Sequence, residues 1–242
     1  MSTTIVRAVV RKELRDYRRN RFIVATMAIT PVVFLVLPVI VIFKAPADAP
    51  PSTVDTLVGL ALLYLLLIPT LVPATVSAYA VVGEREQGTL EPVLTSPVRR
   101  EEFLLGKAGA VLVPTLAIAY VMFGLFLTAV ALFAHHNVFV DVFKPSRIVP
   151  QLVFTPLLGT WSIWAGIAIS AKVSDVRVAQ QLGSLVSLPP LAVTALFNFG
   201  VLHPTPSLAV GLGAALLVID LGAWRVVSRL FDRERLITGQ KA

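Results

Sequence analysis

The sequence predicts an all-α integral membrane protein with six transmembrane helices, preceded by an N-terminal amphipathic helix at the membrane interface. Of its 242 residues, 56% are hydrophobic and only 14% are charged, whereas soluble domains average about 25% charged residues. Six apolar segments each approach or exceed the roughly 20 residues that a helix needs to cross a bilayer. Basic side chains are concentrated in alternate connections between these segments, as the positive-inside rule describes.

Residues 4–20 are predicted to form the interfacial helix. Apolar side chains recur at close to a 3.6-residue period, and the intervening positions are mostly basic; the apolar positions are Ile5, Val6, Val9, Val10, Leu14 and Tyr17. Such a pattern is typical of a helix lying in the headgroup region, although a solvated basic tail is the alternative. The apolar run from Phe22 to Phe43 has no small-residue cleavage site, so we expect a retained first span and not a signal peptide.

The predicted spans form a single transmembrane domain over residues 1–242. They are residues 22–43, 57–82, 108–134, 148–171, 180–202 and 207–227. Segment 180–202 is the least regular, because it contains Pro189-Pro190 and the polar Asn198, and its outer end could be broken or re-entrant. Residues 83–107 are predicted to form a cytoplasmic coupling loop.

The distribution of basic residues predicts the orientation. If both termini are cytoplasmic, 18 of the 21 Lys and Arg residues lie on the cytoplasmic side. That asymmetry is typical of a multi-pass protein of the cell membrane. It also accounts for the net charge of +7 without a nucleic-acid partner.

Polar residues inside the spans are candidates for a functional role. Asp220 lies in the sixth predicted span and Asn198 in the fifth. A carboxylate in lipid costs roughly 2.5–3.5 kcal/mol on insertion scales, so Asp220 should face protein or water. We favour a pairing with a nearby Arg or Lys, and a substrate or proton site is the alternative. A row of small residues, Ser162, Gly166 and Ser170, should let the fourth span pack closely, within the chain or across a dimer.

No catalytic residue or metal site is predicted. The chain has no cysteine, and the adjacent His135 and His136 lack the spacing of metal ligands. Signatures of zinc proteases and of serine nucleophiles are absent from the sequence. A Gly-x-x-x-x-Gly-Lys-Ser/Thr phosphate-binding loop is absent as well, so the chain needs no cofactor of its own, and a separate partner chain would have to hold ATP and Mg²⁺.

The densest polar stretch follows the second predicted span and starts with Gly83-Glu84-Arg85-Glu86-Gln87-Gly88-Thr89-Leu90-Glu91. Thr89 fits the N-cap of a short helix, with Glu91 in its first turn. Because membrane spans flank it on both sides, the stretch should lie at a membrane face. It could contact a soluble partner there, or it could be an ordinary solvated loop.

This stretch continues to Leu94, Ser96-Pro97-Val98 and Gly106-Lys107, and the whole pattern resembles the signature of ABC-2 type transporter permeases. Residues 171–181 and 231–236 resemble further parts of that family. The resemblance implies a six-helix permease subunit that dimerises around a substrate path and binds a separate ATP-binding cassette ATPase. It also implies that the coupling contacts with the ATPase come from Glu84, Arg85, Glu86, Gly88, Thr89 and Glu91.

The favoured function is therefore the permease subunit of an ATP-driven exporter of the ABC-2 type. Its expected partners are an ABC-type ATP-binding subunit, a second permease protomer and membrane lipid. One alternative is a membrane scaffold or accessory subunit without its own substrate path. Another is a membrane-embedded enzyme, which would need polar catalytic groups to converge within the spans.

Overall fold

The computed structural model describes residues 2–79, 81–86, 99–201 and 205–230. No strand occurs in this part of the chain, which confirms the predicted all-α class. In chain order the helices are α1 (Thr3–Arg19), α2 (Arg21–Phe43), α3 (Pro51–Ser77), α4 (Val82–Glu86), α5 (Arg100–Phe133), α6 (His136–Val142), α7 (Pro145–Ser170), α8 (Val176–Asn198) and α9 (Pro206–Leu230).

Five helical segments are long and apolar enough to cross a membrane: α2, α3 with its continuation to Glu84, α5, α7 and α9. Helix α8 is not among them, because Gln180, Gln181 and Asn198 lower its hydropathy. It nevertheless continues as one helix through Pro189-Pro190 to Asn198. Length and composition thus support five of the six predicted spans, and a sixth span in α8 stays a prediction.

Helix α5 is longer than a membrane requires. Its 34 residues span roughly 51 Å at 1.5 Å per residue, against a hydrocarbon core of about 30 Å. It begins at Arg100, whereas the sequence pattern placed the start of the span at residue 108. Its first two turns, which carry Glu101, Glu102 and Lys107, therefore have room to extend beyond the apolar layer.

Helix α3 is the centre of the bundle. It packs against α2, α5, α7 and α8, and 67% of its most apolar stretch is buried, compared with 17% for α2. Helices α2, α5, α7 and α8 therefore surround α3, whereas α9 packs mainly on α7, and α2 presents most of its surface outward. A displacement of α3 would have to be accommodated by four neighbouring helices, because packed interiors deform little.

The predicted row of small residues on the fourth span packs within the chain. A Cβ at Gly166 would overlap the Ser77 hydroxyl of α3, so only glycine allows this approach of α7 to α3. The Ser77 hydroxyl also lies 3.4 Å from the Ser162 carbonyl. Of the two alternatives that the spacing left open, these contacts support packing inside one protomer.

Candidate functional site

Helix α1 lies against the first turns of α5, at what we call the α1 end of the bundle. Its apolar stripe joins a core shared with α3, α5 and α7. Gly106 allows this packing, because a Cβ there would lie 2.5 Å from Cγ1 of Val9. At the start of α1, the Ser2 amide donates a 2.6 Å hydrogen bond to Oε1 of Glu102. These contacts fix α1 to the end of the third predicted span.

A single residue, Asn20, ends α1 and begins α2. Its amide donates to the carbonyls of Asp16 and Tyr17, both at 3.1 Å. Its Oδ1 accepts from the amides of Phe22 at 3.0 Å and Ile23 at 3.3 Å, as an N-cap side chain does. The chain therefore turns from α1 into α2 over one residue.

Four charged side chains meet where α1, α4 and α5 come together. We call them the ion cluster: Lys12, Glu13, Glu84 and Lys107. The Nζ atom of Lys107 lies 3.1 Å from Oε1 of Glu13 and 3.0 Å from Oε1 of Glu84. The Nζ atom of Lys12 lies at the same two distances from the same two oxygens. Two cations and two anions thus connect three helices.

The ion cluster is largely removed from solvent. Lys107 is 1% exposed, Glu13 4% and Glu84 7%, whereas the side chain of Lys12 is 47% exposed. Burial alone would raise the pKa of Glu13, but the charges of Lys107 and Lys12 outweigh it and hold the pKa below its ordinary value. Burial and the nearby Glu13 carboxylate raise the pKa of Tyr17. Burial of the two carboxylates in the cluster therefore depends on the two lysine ammonium groups that neutralise them.

Lys107 is held from a third direction by an aromatic ring. Its Nζ atom lies 4.9 Å from the centroid of the Phe103 ring, one turn earlier on α5. A cation over an aromatic face gains on the order of 1–2 kcal/mol when it is desolvated. This contact and the two carboxylates offset the cost of burying the ammonium group.

Ser170, at the end of α7, stabilises the junction between α3 and α4. Its hydroxyl donates to the Ala78 carbonyl at 2.6 Å and accepts from the amides of Val81 at 3.1 Å and Val82 at 3.0 Å. The backbone groups freed by the turn are thus satisfied by one side chain. The connection from α3 to α4 is therefore tied to α7 as well as to α1 and α5.

The six predicted coupling residues have different positions. Glu84 lies in the ion cluster, and its side chain does not face outward. Arg85 and Glu86 complete α4, but their side chains fall outside the described residues. Gly88, Thr89 and Glu91 lie outside them entirely. Glu84 is therefore enclosed by α1 and α5, and its side chain is not exposed for a contact with another protein.

The opposite end of the bundle has its own charged contacts, centred on the 3% exposed Arg147 of α7. Its guanidinium donates to the Asn198 carbonyl at the end of α8 at 2.8 Å, and it pairs with Asp55 of α3. It also lies 3.5 Å from Oδ2 of Asp141 in α6. The amide side chain of Asn198 is buried, and its Nδ2 has no hydrogen-bond partner within the described ranges. The predicted polar site at Asn198 thus contributes mainly its backbone carbonyl.

Asp220 is buried within α9 and is 4% exposed. Its Oδ2 atom has no hydrogen-bond partner, and no ion pair of Asp220 occurs, among the residues that the structure describes. The favoured pairing with an Arg or Lys is therefore not found in this part of the chain. The expectation that this carboxylate faces protein agrees with its burial.

Sequence reasoning did not single out Lys12, Glu13 or Ser170 as functional residues, and it used Lys107 only as part of a motif. Glu13 could have been found from its spacing. It lies four residues after Val9 and four before Tyr17, so it falls on the apolar stripe of α1. A carboxylate on an apolar stripe indicates a buried partner, which is Lys107.

Comparison with known proteins agrees with this architecture. Residues 7–230 match the family model described as ABC-2 family transporter protein. The chain is also similar to a protein named probable ABC transporter permease protein NosY from Pseudomonas aeruginosa, with 38% identity over 111 residues. That match covers 43% of this chain and only 37% of the length of the relative. The family match extends over most of the chain, from α1 to α9, and the chain belongs to the ABC-2 family of transporter proteins.

Proposed function

We propose that this multi-pass membrane protein is the permease subunit of an ATP-driven transporter and is coupled to a separate ATP-binding subunit at the α1 end. The observation that carries the proposal is the ion cluster. It joins the segment expected to meet the ATPase, α4, to the interfacial helix α1 and to the span α5. Family membership and the similarity to a probable permease support the same function.

The contacts around α4 give a route for coupling. Only residues 78–81 separate α4 from α3, the most deeply buried span. Glu84 joins α4 to α5 through Lys107, and Ser170 joins the α3–α4 junction to α7. A displacement of α4 would therefore act on three spans together. ATP binding shifts the permease between two arrangements only if the ATPase binds the two arrangements with different affinities. Helix α4 is the segment placed to make contacts with the ATPase that differ between the two arrangements.

The orientation in the membrane, the assembly and the direction of transport are proposed from sequence reasoning and from the family. The asymmetry in basic residues supports cytoplasmic termini, a cytoplasmic α1 end and a location in the cell membrane. ATP and Mg²⁺ would be bound by the partner subunit. Assembly with a second permease protomer and export as the direction of transport complete the proposal.

The test is co-purification of the permease with an ATP-binding subunit encoded by a neighbouring reading frame, followed by measurement of ATP hydrolysis in liposomes. Glu86→Ala alters α4 outside the ion cluster, and Glu84→Gln alters the cluster itself. Asp48→Ala is the control, because Asp48 is an exposed carboxylate at the opposite end.

We expect Glu86→Ala to weaken association with the ATPase. We expect Glu84→Gln to keep association and to lose the stimulation of ATP hydrolysis by the permease. Asp48→Ala should match the wild type in both assays. If the folded wild-type permease associates with no ATP-binding subunit, the proposed function is wrong, and the scaffold and enzyme alternatives return.

A further inference from the structure

An apolar cavity opens where the chain turns from α1 into α2. We call it the elbow groove, and its volume is about 360 Å³, within the range of about 300–1,000 Å³ typical of small-molecule sites. One wall is the end of α1, the second is the first two turns of α2, and the third is Pro114 of α5. The lining includes Leu14, Arg18, Val24, Met27 and Pro114.

The lining is apolar except at one side. Arg18 and the mostly apolar Tyr17 come from α1, and the contributing residues of α2 are all apolar. Arg19 and Arg21 are exposed on either side of Asn20, so three guanidinium groups lie within four positions of the chain. A ligand that fits this site combines an anionic group with a hydrocarbon chain.

The groove also opens toward the face of α2 that the bundle leaves uncovered. Val24 is 46% exposed within the groove, and Ala28, one turn further along α2, also lines the groove and is exposed. That face continues along α2 through Val32, Val33, Val36 and Ile40, which are all exposed. In a membrane protein such a face contacts lipid, so the groove can be entered from the bilayer.

We propose that the elbow groove binds one anionic phospholipid from the leaflet at the α1 end. Arg18 pairs with the phosphate, and an acyl chain lies along Val24 and Met27 toward the exposed face of α2. Basic pockets between membrane helices bind anionic headgroups in this way. The inference rests on the proposed function in one respect, which is that α1 lies at the membrane surface.

The position of the groove gives the lipid a structural role. Tyr17 lines the groove, and burial together with the nearby Glu13 carboxylate of the ion cluster raises the pKa of the Tyr17 hydroxyl. Leu14 follows Glu13 directly. A bound acyl chain would therefore support the packing of α1 on α2 and α5 beside the residues that hold α4.

The test measures retained lipid on the purified permease by native mass spectrometry, after exchange into phosphatidylglycerol or phosphatidylcholine with identical acyl chains. Arg18→Gln removes the headgroup contact, and Arg7→Gln makes the same charge change at an exposed position elsewhere on α1. Val24→Trp fills the groove from an exposed position. Val33→Trp is its control, because Val33 is 47% exposed on the same helix and outside the groove.

We expect the wild type to retain phosphatidylglycerol in preference to phosphatidylcholine. Arg18→Gln should weaken retention of phosphatidylglycerol about fivefold, since one Arg near an anionic surface contributes about 1 kcal/mol, and Arg7→Gln should not. Val24→Trp should reduce the retention of both lipids. Val33→Trp should leave the retention of both lipids unchanged. Equal effects of the two arginine variants, or of the two tryptophan variants, would overturn the proposal.

The outcome is separable from that of the proposed function. Lipid retention needs no ATP hydrolysis, so loss of the lipid site would leave coupling to the ATPase standing. Conversely, a complex that retains the lipid but shows no stimulated hydrolysis would count against the permease function alone.

Discussion

Lys107→Met should destabilise the protein strongly. The substitution keeps the volume and removes the ammonium group, so the buried Glu13 and Glu84 carboxylates lose the more deeply buried of the two cations that they share. Breaking a buried ion pair by removing one partner costs about 3–5 kcal/mol. Lys12 remains 3.1 Å and 3.0 Å from the same carboxylates, so the loss should lie near the lower limit, at about 3 kcal/mol.

The measurement is the free energy of unfolding by denaturant titration in detergent micelles. Lys172→Met is the control, because Lys172 is exposed in the connection after α7, and such surface changes usually stay within about 0.5 kcal/mol. The double variant Lys107→Met/Glu13→Gln restores the balance of charge, with Lys12 left to pair with Glu84. It should therefore be more stable than Lys107→Met alone, with a coupling energy of about 1–3 kcal/mol.

Two results would refute this reasoning. One is a Lys107→Met variant as stable as the Lys172→Met control. The other is a double variant whose loss equals or exceeds the two single losses added together, because the charges would then act independently.

Three further predictions concern the same region. Gly106→Ala should separate α1 from α5 and lower the thermal unfolding temperature, because the added methyl group would meet Cγ1 and Cβ of Val9 at 2.5 Å and 2.6 Å. Gly124→Ala is the control and should not lower it, because nothing lies within 4 Å of the added methyl group. The lowered pKa of Glu13 contributes stability that is present above its ordinary value of 4.5 and is lost as the pH falls through the folded-state value. Unfolding free energies measured across that range should fall more for the wild type than for Glu13→Gln. Ser170→Ala leaves the amides of residues 81 and 82 without their acceptor, so the same titration should show a loss of about 1–3 kcal/mol.

The sequence predicted those features that depend on local patterns. Apolar segments predicted the membrane helices, and the apolar stripe of residues 4–20 predicted α1, because both patterns repeat within a few turns of one helix. Helix α8 shows the limit of this approach. Its glutamines and prolines make its composition ambiguous, although it forms one helix against α3 and α7.

The candidate site could be predicted only in part. Glu84 was selected from a motif, but its partner Lys12 lies 72 residues away in the chain, and no local pattern records such a contact. The small-residue row likewise predicted that α7 packs closely, but not that its partner is α3. The sequence therefore indicated which side chains have unusual surroundings, and the fold supplied their partners.

The most direct test of the central claim, that an ATP-binding subunit docks where α4 leaves the membrane, is site-specific crosslinking. The chain contains no cysteine, so Glu86→Cys introduces a single attachment point on α4 for a photoactivated crosslinker. Phe133→Cys, at a 73% exposed position at the other end of the bundle, is the control. The account predicts a crosslink to the ATP-binding subunit from position 86, changed in yield by ATP, and none from position 133. Crosslinking from position 133 alone would contradict it.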